Sequence, residues 1–236
     1  MNTTAIIACE VLRKELEWIA GRLSDALPMH FLEQGLHDTP DTLRLQVQGL
    51  VDELETSAEP PDTILLGYGL CGRGLSGVTT RKAKLIIPKV HDCIPLLLGM
   101  EQDAASVCSQ GGSTYWLSSG WIQCSSAFVE NRNKRFADYE ERFGTDSATY
   151  LMELEGSWLQ HYTTVCLIRW NALEADEVAA RRIAQDSNLP YSECTGNEFF
   201  LQDLLAGGKD ERRFLHLVPG QTISLNGDGE LVSIPV

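Results

Sequence analysis

Short apolar runs alternate along the chain with stripes of apolar residues at helical spacing. The runs predict buried strands, because a strand covered on both faces carries apolar side chains throughout. The stripes predict helices, with an apolar residue at every third or fourth position. Leu12, Leu16, Ile19 and Leu23 form the first stripe. A similar stripe begins at Pro40, and proline is well tolerated in the first turn of a helix.

These patterns place strands and helices in alternation over most of the chain, which is typical of a parallel sheet with right-handed crossovers. We therefore predict an α/β fold with a mostly parallel, doubly wound, Rossmann-like sheet, helices on both faces and a C-terminal β-hairpin. The predicted strands cover residues 3–9, 29–33, 63–69, 84–90, 113–122, 163–170, 191–196 and 213–218, with the hairpin in 221–234. The later predicted helices cover residues 94–110, 128–160 with a break at Gly144, 172–185 and 197–206.

The length and composition are those of an ordinary globular protein. The 236 residues are 43% hydrophobic and 22% charged. We expect a single α/β domain over residues 1–236, and the alternative is two halves, 1–110 and 111–236, divided at Gly111 and Gly112.

The formal net charge of -14 makes nucleic acid a poor partner, because a phosphate backbone would be repelled. No apolar run approaches the roughly 20 residues that a membrane-spanning helix needs. The N-terminus also lacks the basic start and long apolar core of a secretory signal. The expectation is a cytoplasmic protein without a membrane or nucleic-acid partner.

Cysteines follow several of the predicted strands at the point where each strand ends. Cys9 closes the first strand, Cys71 follows the third, Cys93 follows the fourth, and a later short strand ends in Cys194, Thr195 and Gly196. In open α/β sheets, ligands bind beyond the carboxyl ends of the strands. Cysteines in a reducing compartment are more often metal-binding, catalytic or buried than paired in disulfides.

Cys71, His91 and Cys93 are the predicted metal ligands, with Cys9 as a fourth candidate. Zinc takes thiolate and imidazole ligands, and the extended His-x-Cys segment places both side chains on the same side of the chain. The spacing is not that of a paired Cys-x-x-Cys knuckle, and iron or copper would also suit soft thiolates. The alternative is that these cysteines are small buried apolar residues, as we expect for Cys166.

The same residues also fit a metal-free site. Cys71 lies in a glycine-rich loop whose N–H groups could lower the pKa of a thiol, with His91 as base and Cys71 or Cys93 as nucleophile. Glu10 is a candidate general base or partner of a metal ligand, and a solvated carboxylate at a helix start is the alternative. Tyr68, which precedes the loop, is the second candidate catalytic residue.

The glycine loop also offers a surface for a small ligand. Its Gly-x-Gly-x-x-Gly pattern is followed by a predicted strand and not a helix, so a dinucleotide site lacks its structural context. Gly69 and Gly72 remain candidates for contact with a cofactor, because glycine permits a sharp turn or a close approach. Trp121 could line a pocket for a flat ligand, and packing in the core is the alternative.

Four segments resemble the family known as domain of unknown function 1638: ACEVLRKEL, GYGLCGRGL, HDCIPLLLG and STYWLSSGWI. The resemblance spans most of the chain and implies no established activity. Members of that family sometimes lie near genes for corrinoid-dependent methyl transfer. The zinc-dependent methylcobamide methyltransferases of that setting bind zinc through a His-x-Cys pair and a distant cysteine, to which His91 and Cys93 are similar. Those enzymes are longer barrels, so the comparison concerns the ligands and not the fold.

The first interpretation is therefore a zinc protein, and as an enzyme a methyl or thiol transferase. It would activate a small thiol or methyl-bearing substrate in corrinoid-linked one-carbon metabolism. The first alternative is a non-catalytic accessory protein that binds a corrinoid or another small ligand, with a corrinoid protein as partner. The second alternative is a metal-free cysteine-dependent transferase.

Overall fold

The computed structural model describes residues 3–23, 27–99, 113–156 and 161–236. The chain forms two compact units, Met1–Asp103 with Asn197–Val236, and Ala104–Gly196. The C-terminal segment thus belongs to the first unit, whereas the alternative division at residue 110 keeps it with the second half. A single domain over the whole chain stays a prediction.

A sheet of five strands forms the centre of the first unit. The strands are β1 at Thr4–Cys9, β2 at Met29–Leu32, β3 at Thr63–Gly67, β5 at Lys84–Pro88 and β9 at Phe214–Leu217. Their order across the sheet is β2-β1-β3-β5-β9; the first four pair in parallel, and β9 pairs with β5 in the opposite direction. The predicted strands of this unit are therefore present, each within about two residues of its expected bounds.

Helices of this unit pack their apolar stripes on the sheet. The α-helices are α1 at Arg13–Ala20, α2 at Pro40–Thr56, α3 at Ile94–Leu98 and α7 at Phe199–Leu205, with 3₁₀ turns at Glu10–Leu12 and Leu36–Asp38. Leu43, Val47 and Val51 of α2 are buried in one apolar cluster with Ile64 and Leu66 of β3. Helix α7 contacts α1, α3, β3 and β5. The helix predicted to begin at Pro40 is thus confirmed.

A second, three-stranded sheet completes the first unit. It contains β4 at Thr79–Thr80, β10 at Gln221–Leu225 and β11 at Leu231–Pro235, in the order β11-β10-β4. The side-chain oxygen of Asn226 accepts hydrogen bonds from the N–H groups of Asp228 and Glu230, at 3.0 and 2.8 Å, and so closes the hairpin turn. The predicted C-terminal hairpin is confirmed, while the short strand β4 was not expected.

The second unit has its own parallel sheet of three strands. They are β6 at Thr114–Leu117, β7 at Thr164–Arg169 and β8 at Tyr191–Thr195, and they lie side by side in that order. Its helices are α4 at Ser119–Phe143, α5 at Thr145–Gly156 and α6 at Glu177–Asp186. Gly144 separates α4 from α5 with a φ of 81°, so the predicted helix break is confirmed.

Two predicted elements differ from the structure because of side-chain caps. The run 113–122 was expected to be one strand, but α4 begins at Ser119 because the Ser118 hydroxyl accepts the N–H of Trp121. The helix expected from residue 172 begins at Glu177, where the Asp176 carboxylate accepts the N–H of Ala179 at 2.8 Å. Polar caps therefore outweighed the apolar patterns that ran through these positions.

The described residues confirm an α/β fold with a mostly parallel first sheet and a parallel sheet in the second unit. The doubly wound, Rossmann-like arrangement stays a prediction. The helix expected over 94–110 is present as Ile94–Leu98, and the rest of it, from residue 100, lies outside the described residues, as do Gly111 and Gly112. None of the helices in the described segments is both long and apolar enough to cross a membrane.

Glu15→Gln is expected to remove a pH-dependent loss of stability. The Glu15 side chain on α1 is only 2% exposed, and its Oε2 atom has no hydrogen-bond partner among the described residues. Burial raises the pKa of this carboxyl from 4.5 to about 7. The stability contributed by the neutral form is full below pH 4.5 and is lost as the pH rises through about 7. The difference between the ordinary and the raised pKa of Glu15 corresponds to a loss of about 3 kcal/mol of unfolding free energy over this pH range.

Urea unfolding near pH 4.5 and near pH 8 measures this loss in the wild type and in two variants. E15Q should gain stability relative to the wild type as the pH rises. Glu17→Gln is the control, because Glu17 lies on the same helix with its side chain 53% exposed, and it should follow the wild type. If the difference in unfolding free energy between the wild type and E15Q stays constant with pH, Glu15 is not a buried neutral acid.

Candidate functional site

Three neighbouring strands each lead to a cysteine at the same edge of the first sheet. Strands β1, β3 and β5 lie side by side and run in the same direction, so their carboxyl ends share one edge. Cys9 ends β1, Cys71 lies in the loop after β3, and Cys93 follows the turn after β5. All three residues are half-buried cysteines that form no disulfide with one another. The expected gathering of these cysteines at one edge is therefore observed.

Backbone contacts hold the loops after β3 and β5 against each other. The N–H of Leu70 donates to the carbonyl of Val90 at 2.8 Å, and the N–H of Cys71 donates to the carbonyl of His91 at 2.9 Å. A Cβ atom on Gly69 would lie 2.7 Å from backbone atoms of Asp92. Because no side chain fits in that gap, glycine is required where the two loops meet.

Cys71 lies in a left-handed turn of the chain. Cys71, Gly72 and Arg73 have φ angles of 46°, 64° and 72° in succession. This conformation is unfavourable for the two residues that are not glycine, and such residues cluster at binding and catalytic sites. The turn is closed by the N–H of Gly74, which donates to the carbonyl of Cys71 at 3.0 Å. The direction of the Cys71 side chain is thus set by a strained but hydrogen-bonded turn.

The sulfur atoms are close enough to influence one another's ionisation. Burial raises the pKa of the Cys71 thiol to about 12, and the neighbouring Cys9 and Asp92 add to this rise, while the N–H of Gly69 offsets part of it. Burial also raises the pKa of Cys93 well above its ordinary value, with further contributions from Cys71 and Cys9. Without a cation nearby, Cys71 and Cys93 are therefore protonated at neutral pH.

Tyr68 places a polar atom beside these thiols. The parallel register pairs Ala8 with Gly67, so Cys9 and Tyr68 are neighbours one position further along. Tyr68 is only 3% exposed, and its hydroxyl has no hydrogen-bond partner among the described residues. Burial raises the pKa of this hydroxyl strongly, and the thiols of Cys9 and Cys71 raise it further. Tyr68 is thus a neutral hydrogen-bond donor that faces the thiols and has no acceptor in the part of the chain that the structure describes.

Glu10 is bound on both carboxylate oxygens by one guanidinium group. The Arg13 Nε atom lies 2.5 Å from Glu10 Oε1, and a second Arg13 nitrogen lies 2.8 Å from Oε2. The same guanidinium stacks on Phe31, 4.0 Å from the ring centre. Such a bidentate pair holds the carboxylate in one orientation. The role of Glu10 as a general base stays a prediction.

His91 and Asp92 lie on the solvent side of the cysteines. Both residues are exposed. The Asp92 carboxylate accepts the N–H of Ile94 at 2.8 Å, which helps to start α3. Within the described segments, no three His, Cys, Asp or Glu side chains are grouped so that they could hold a metal ion. The ligand roles of Cys9, Cys71, His91 and Cys93 therefore stay predictions.

The three residues expected to contact a cofactor have packing roles in the structure. Gly69 lies against Asp92, and Gly72 has a positive φ. Trp121 belongs to the second unit, where its indole N–H donates to the Tyr115 hydroxyl at 3.1 Å and its ring meets the Tyr115 ring edge to face. Contact of any of the three with a ligand stays a prediction.

Sequence reasoning missed two features of the site. The first is Arg13, which neutralises Glu10; its spacing of three residues on a helix start was the available signal. The second is Asp92, whose negative charge raises the pKa of both Cys71 and Cys93. Asp92 stands between His91 and Cys93 in the sequence, so attention to the middle residue of that segment would have found it.

The fold and this site define an α/β protein with three cysteines at the carboxyl edge of a mostly parallel sheet. The sequence profile of a family described as "Protein of unknown function (DUF1638)" matches residues 31–205. The match covers most of the chain, so the chain belongs to this family, and the resemblance seen in the sequence is confirmed. No curated protein and no solved structure matches the chain.

Gly69→Ala is expected to destabilise the protein by about 1–3 kcal/mol, because the added methyl group would overlap the backbone of Asp92. Gly49→Ala is the matched control. Gly49 lies on the exposed side of α2 with no atom near its would-be Cβ, so alanine there should stabilise the helix by about 1 kcal/mol. Urea unfolding at neutral pH measures both changes. Equal stability of G69A and the wild type would contradict the close approach of the two loops.

Proposed function

We propose that this chain is a metal-binding protein that holds a thiophilic ion between the thiolates of Cys9, Cys71 and Cys93, with zinc as the preferred candidate. One observation carries the proposal: three adjacent parallel strands each deliver a cysteine to the same edge. Zinc binds thiolates well, and a catalytic site with three protein ligands leaves a position open for substrate. His91 is the candidate for an additional ligand from the solvent side.

The chemistry of the donors fits a thiophilic ion, although their side chains would have to turn toward a common point. Cysteine binds a metal as thiolate, so metal binding must release protons from these thiols. A cation at the edge would lower the pKa values that burial raises at Cys71 and Cys93. Metal affinity is therefore expected to increase with pH.

As an enzyme, the protein would be a methyl or thiol transferase. A zinc ion with an open position acts as a Lewis acid and supplies a bound thiolate near neutral pH. The substrate is then a small thiol or a methyl-bearing compound, and a corrinoid protein is the partner that the proposed reaction calls for. The doubly wound arrangement expected from the sequence would suit this role, because such folds bind ligands at the carboxyl edge of the sheet.

Cys71→Ser and Cys93→Ser are each expected to lose most of the bound zinc, because serine replaces a thiolate ligand by a poorer donor. Elemental analysis of the purified proteins, followed by competition with a metal-binding dye, measures the content and the affinity. Cys194→Ser is the matched control, since Cys194 is a half-buried cysteine on β8 in the second unit and should leave zinc binding unchanged. Wild-type zinc content in both C71S and C93S would refute the proposed site.

The metal-free cysteine transferase is the second candidate, and the left-handed turn at Cys71 is the observation that favours it. The raised pKa of Cys71 speaks against it, because the thiolate is the nucleophile. In metal-free protein, alkylation of Cys71 by iodoacetamide should be slow near neutral pH and rise about tenfold per pH unit. Peptide mass spectrometry measures the rate, with N-acetylcysteine as the reference thiol. Rapid alkylation of Cys71 near neutral pH would favour the nucleophile over the metal ligand.

A further inference from the structure

The hairpin turn between β10 and β11 carries the one Asn-Gly pair of the chain. Asn226 is the only asparagine in the sequence that precedes a glycine. Glycine has no side chain to shield its backbone nitrogen, so this nitrogen can attack the side-chain carbonyl carbon of the preceding asparagine. Gly227 is exposed, and no described atom beyond its chain neighbours lies within 4 Å of a would-be Cβ there. The pair therefore meets the chemical and steric requirements of a deamidation site.

The closed turn restrains the Asn226 side chain through three hydrogen bonds. Its Oδ1 atom accepts the N–H groups of Asp228 and Glu230 at 3.0 and 2.8 Å. Its Nδ2 atom, which is the leaving group in deamidation, donates to the Glu230 carboxylate at 2.9 Å. The backbone N–H of Asn226 also donates to the Glu230 carbonyl at 3.0 Å. Glu230 thus contacts Asn226 through its N–H, its carbonyl and its carboxylate, and holds the amide in the turn.

We propose that Asn226 is a site of spontaneous deamidation that the closed hairpin turn protects and that opening of the turn activates. In this reaction, the Gly227 nitrogen gives its proton to water and forms a bond to the side-chain carbonyl carbon of Asn226. The bond from that carbon to Nδ2 breaks, and the nitrogen leaves as ammonia. Water then opens the cyclic succinimide to aspartate or isoaspartate. Water is the only co-reactant, and no group is oxidised or reduced.

The product would weaken the turn that protected it. Aspartate at residue 226 has no amide to donate to Glu230, and it places a second carboxylate beside the first in a chain of net charge -14. Isoaspartate adds a carbon atom to the backbone of the turn, and the turn sets the register of the two strands that it joins. Either product would therefore disturb the pairing of β10 with β11.

A weakened hairpin would also affect the glycine loop that contains Cys71. The N–H of Gly77 donates to the carbonyl of Ile223 on β10 at 2.8 Å. The N–H of Ile223 donates in turn to the carbonyl of Val78 at 2.9 Å. These two bonds attach the end of the loop to the hairpin. Deamidation would thus be an irreversible change that records opening of the hairpin and reaches this loop, whether or not the proposed metal binds.

Incubation near pH 8 with and without urea compares the reaction of Asn226 in the unfolded and in the folded protein. Peptide mass spectrometry measures the conversion at residue 226 and separates aspartate from isoaspartate. Deamidation of the folded wild type should be about tenfold or more slower than in urea, because it proceeds through the small population in which the turn is open. Equal rates under the two conditions, or no conversion in urea, would overturn the proposal.

Glu230→Ala tests whether the contacts in the turn provide the protection. The folded variant should deamidate roughly tenfold faster than the wild type, because the Asn226 amide loses its bond to a charged acceptor. In urea the two proteins should react at the same rate, since residue 230 does not adjoin the Asn-Gly pair. Glu211→Ala is the matched control: it removes an exposed glutamate outside the hairpin and should follow the wild type under both conditions. A folded E230A that reacts at the wild-type rate would contradict the protective role of the turn.

Asn226→Asp tests the consequence of the modification, because it introduces one of the two products directly. Hydrogen exchange measured by mass spectrometry should be faster than in the wild type in the segments that contain Gly77 and Ile223, and unchanged in β1. Wild-type exchange in both segments would show that deamidation does not reach the glycine loop, and would overturn that part of the proposal.

Discussion

Two backbone hydrogen bonds beyond the ends of β3 and β5 determine the geometry of the site. They join Leu70 to Val90 and Cys71 to His91, and so continue the contact between the two strands past the edge of the sheet. The contact requires Gly69 to lie directly against the backbone of Asp92. Without this approach, the cysteines that follow the two strands would have no fixed distance between them.

The same contact accounts for the strain at Cys71. The chain must pair with the loop after β5 and then reverse at once, because Gly74 packs against Leu43 of α2 only three residues later. Consecutive left-handed residues make such a sharp reversal, and Gly72 takes it without cost. For Cys71 and Arg73 this conformation is unfavourable, so the packing of the surrounding chain must offset its energetic cost. That packing thereby fixes the direction of the Cys71 thiol.

Part of this site could be predicted from the sequence. Apolar runs located β1, β3 and β5, and a general property of parallel sheets placed Cys9, Cys71 and Cys93 at one edge. The sequence could not show that these strands are direct neighbours, because strand order depends on how the helices between them pack. It also could not show that Tyr68 lacks an acceptor among the described residues, because that depends on every group within reach of one buried atom.

Most elements of the fold could also be predicted from the sequence, but some of their boundaries could not. Short apolar runs and helical stripes identified most elements, since burial of many side chains outweighs any single contact. Errors arose where one polar cap decided a boundary, as at Ser118 and Asp176. The strand β4 has only two residues and forms by pairing with β10 of the hairpin, so no local sequence pattern could predict it.

Polarity changes across the site from its interior to the solvent. The inner wall carries apolar side chains and the Tyr68 hydroxyl, while His91 and Asp92 are exposed on the outer side. A molecule bound at this edge would therefore meet apolar side chains at its inner end, and an imidazole and a carboxylate at its outer end. Because water solvates the outer end and not the inner one, the inner contacts would discriminate among ligands more strongly than the outer ones.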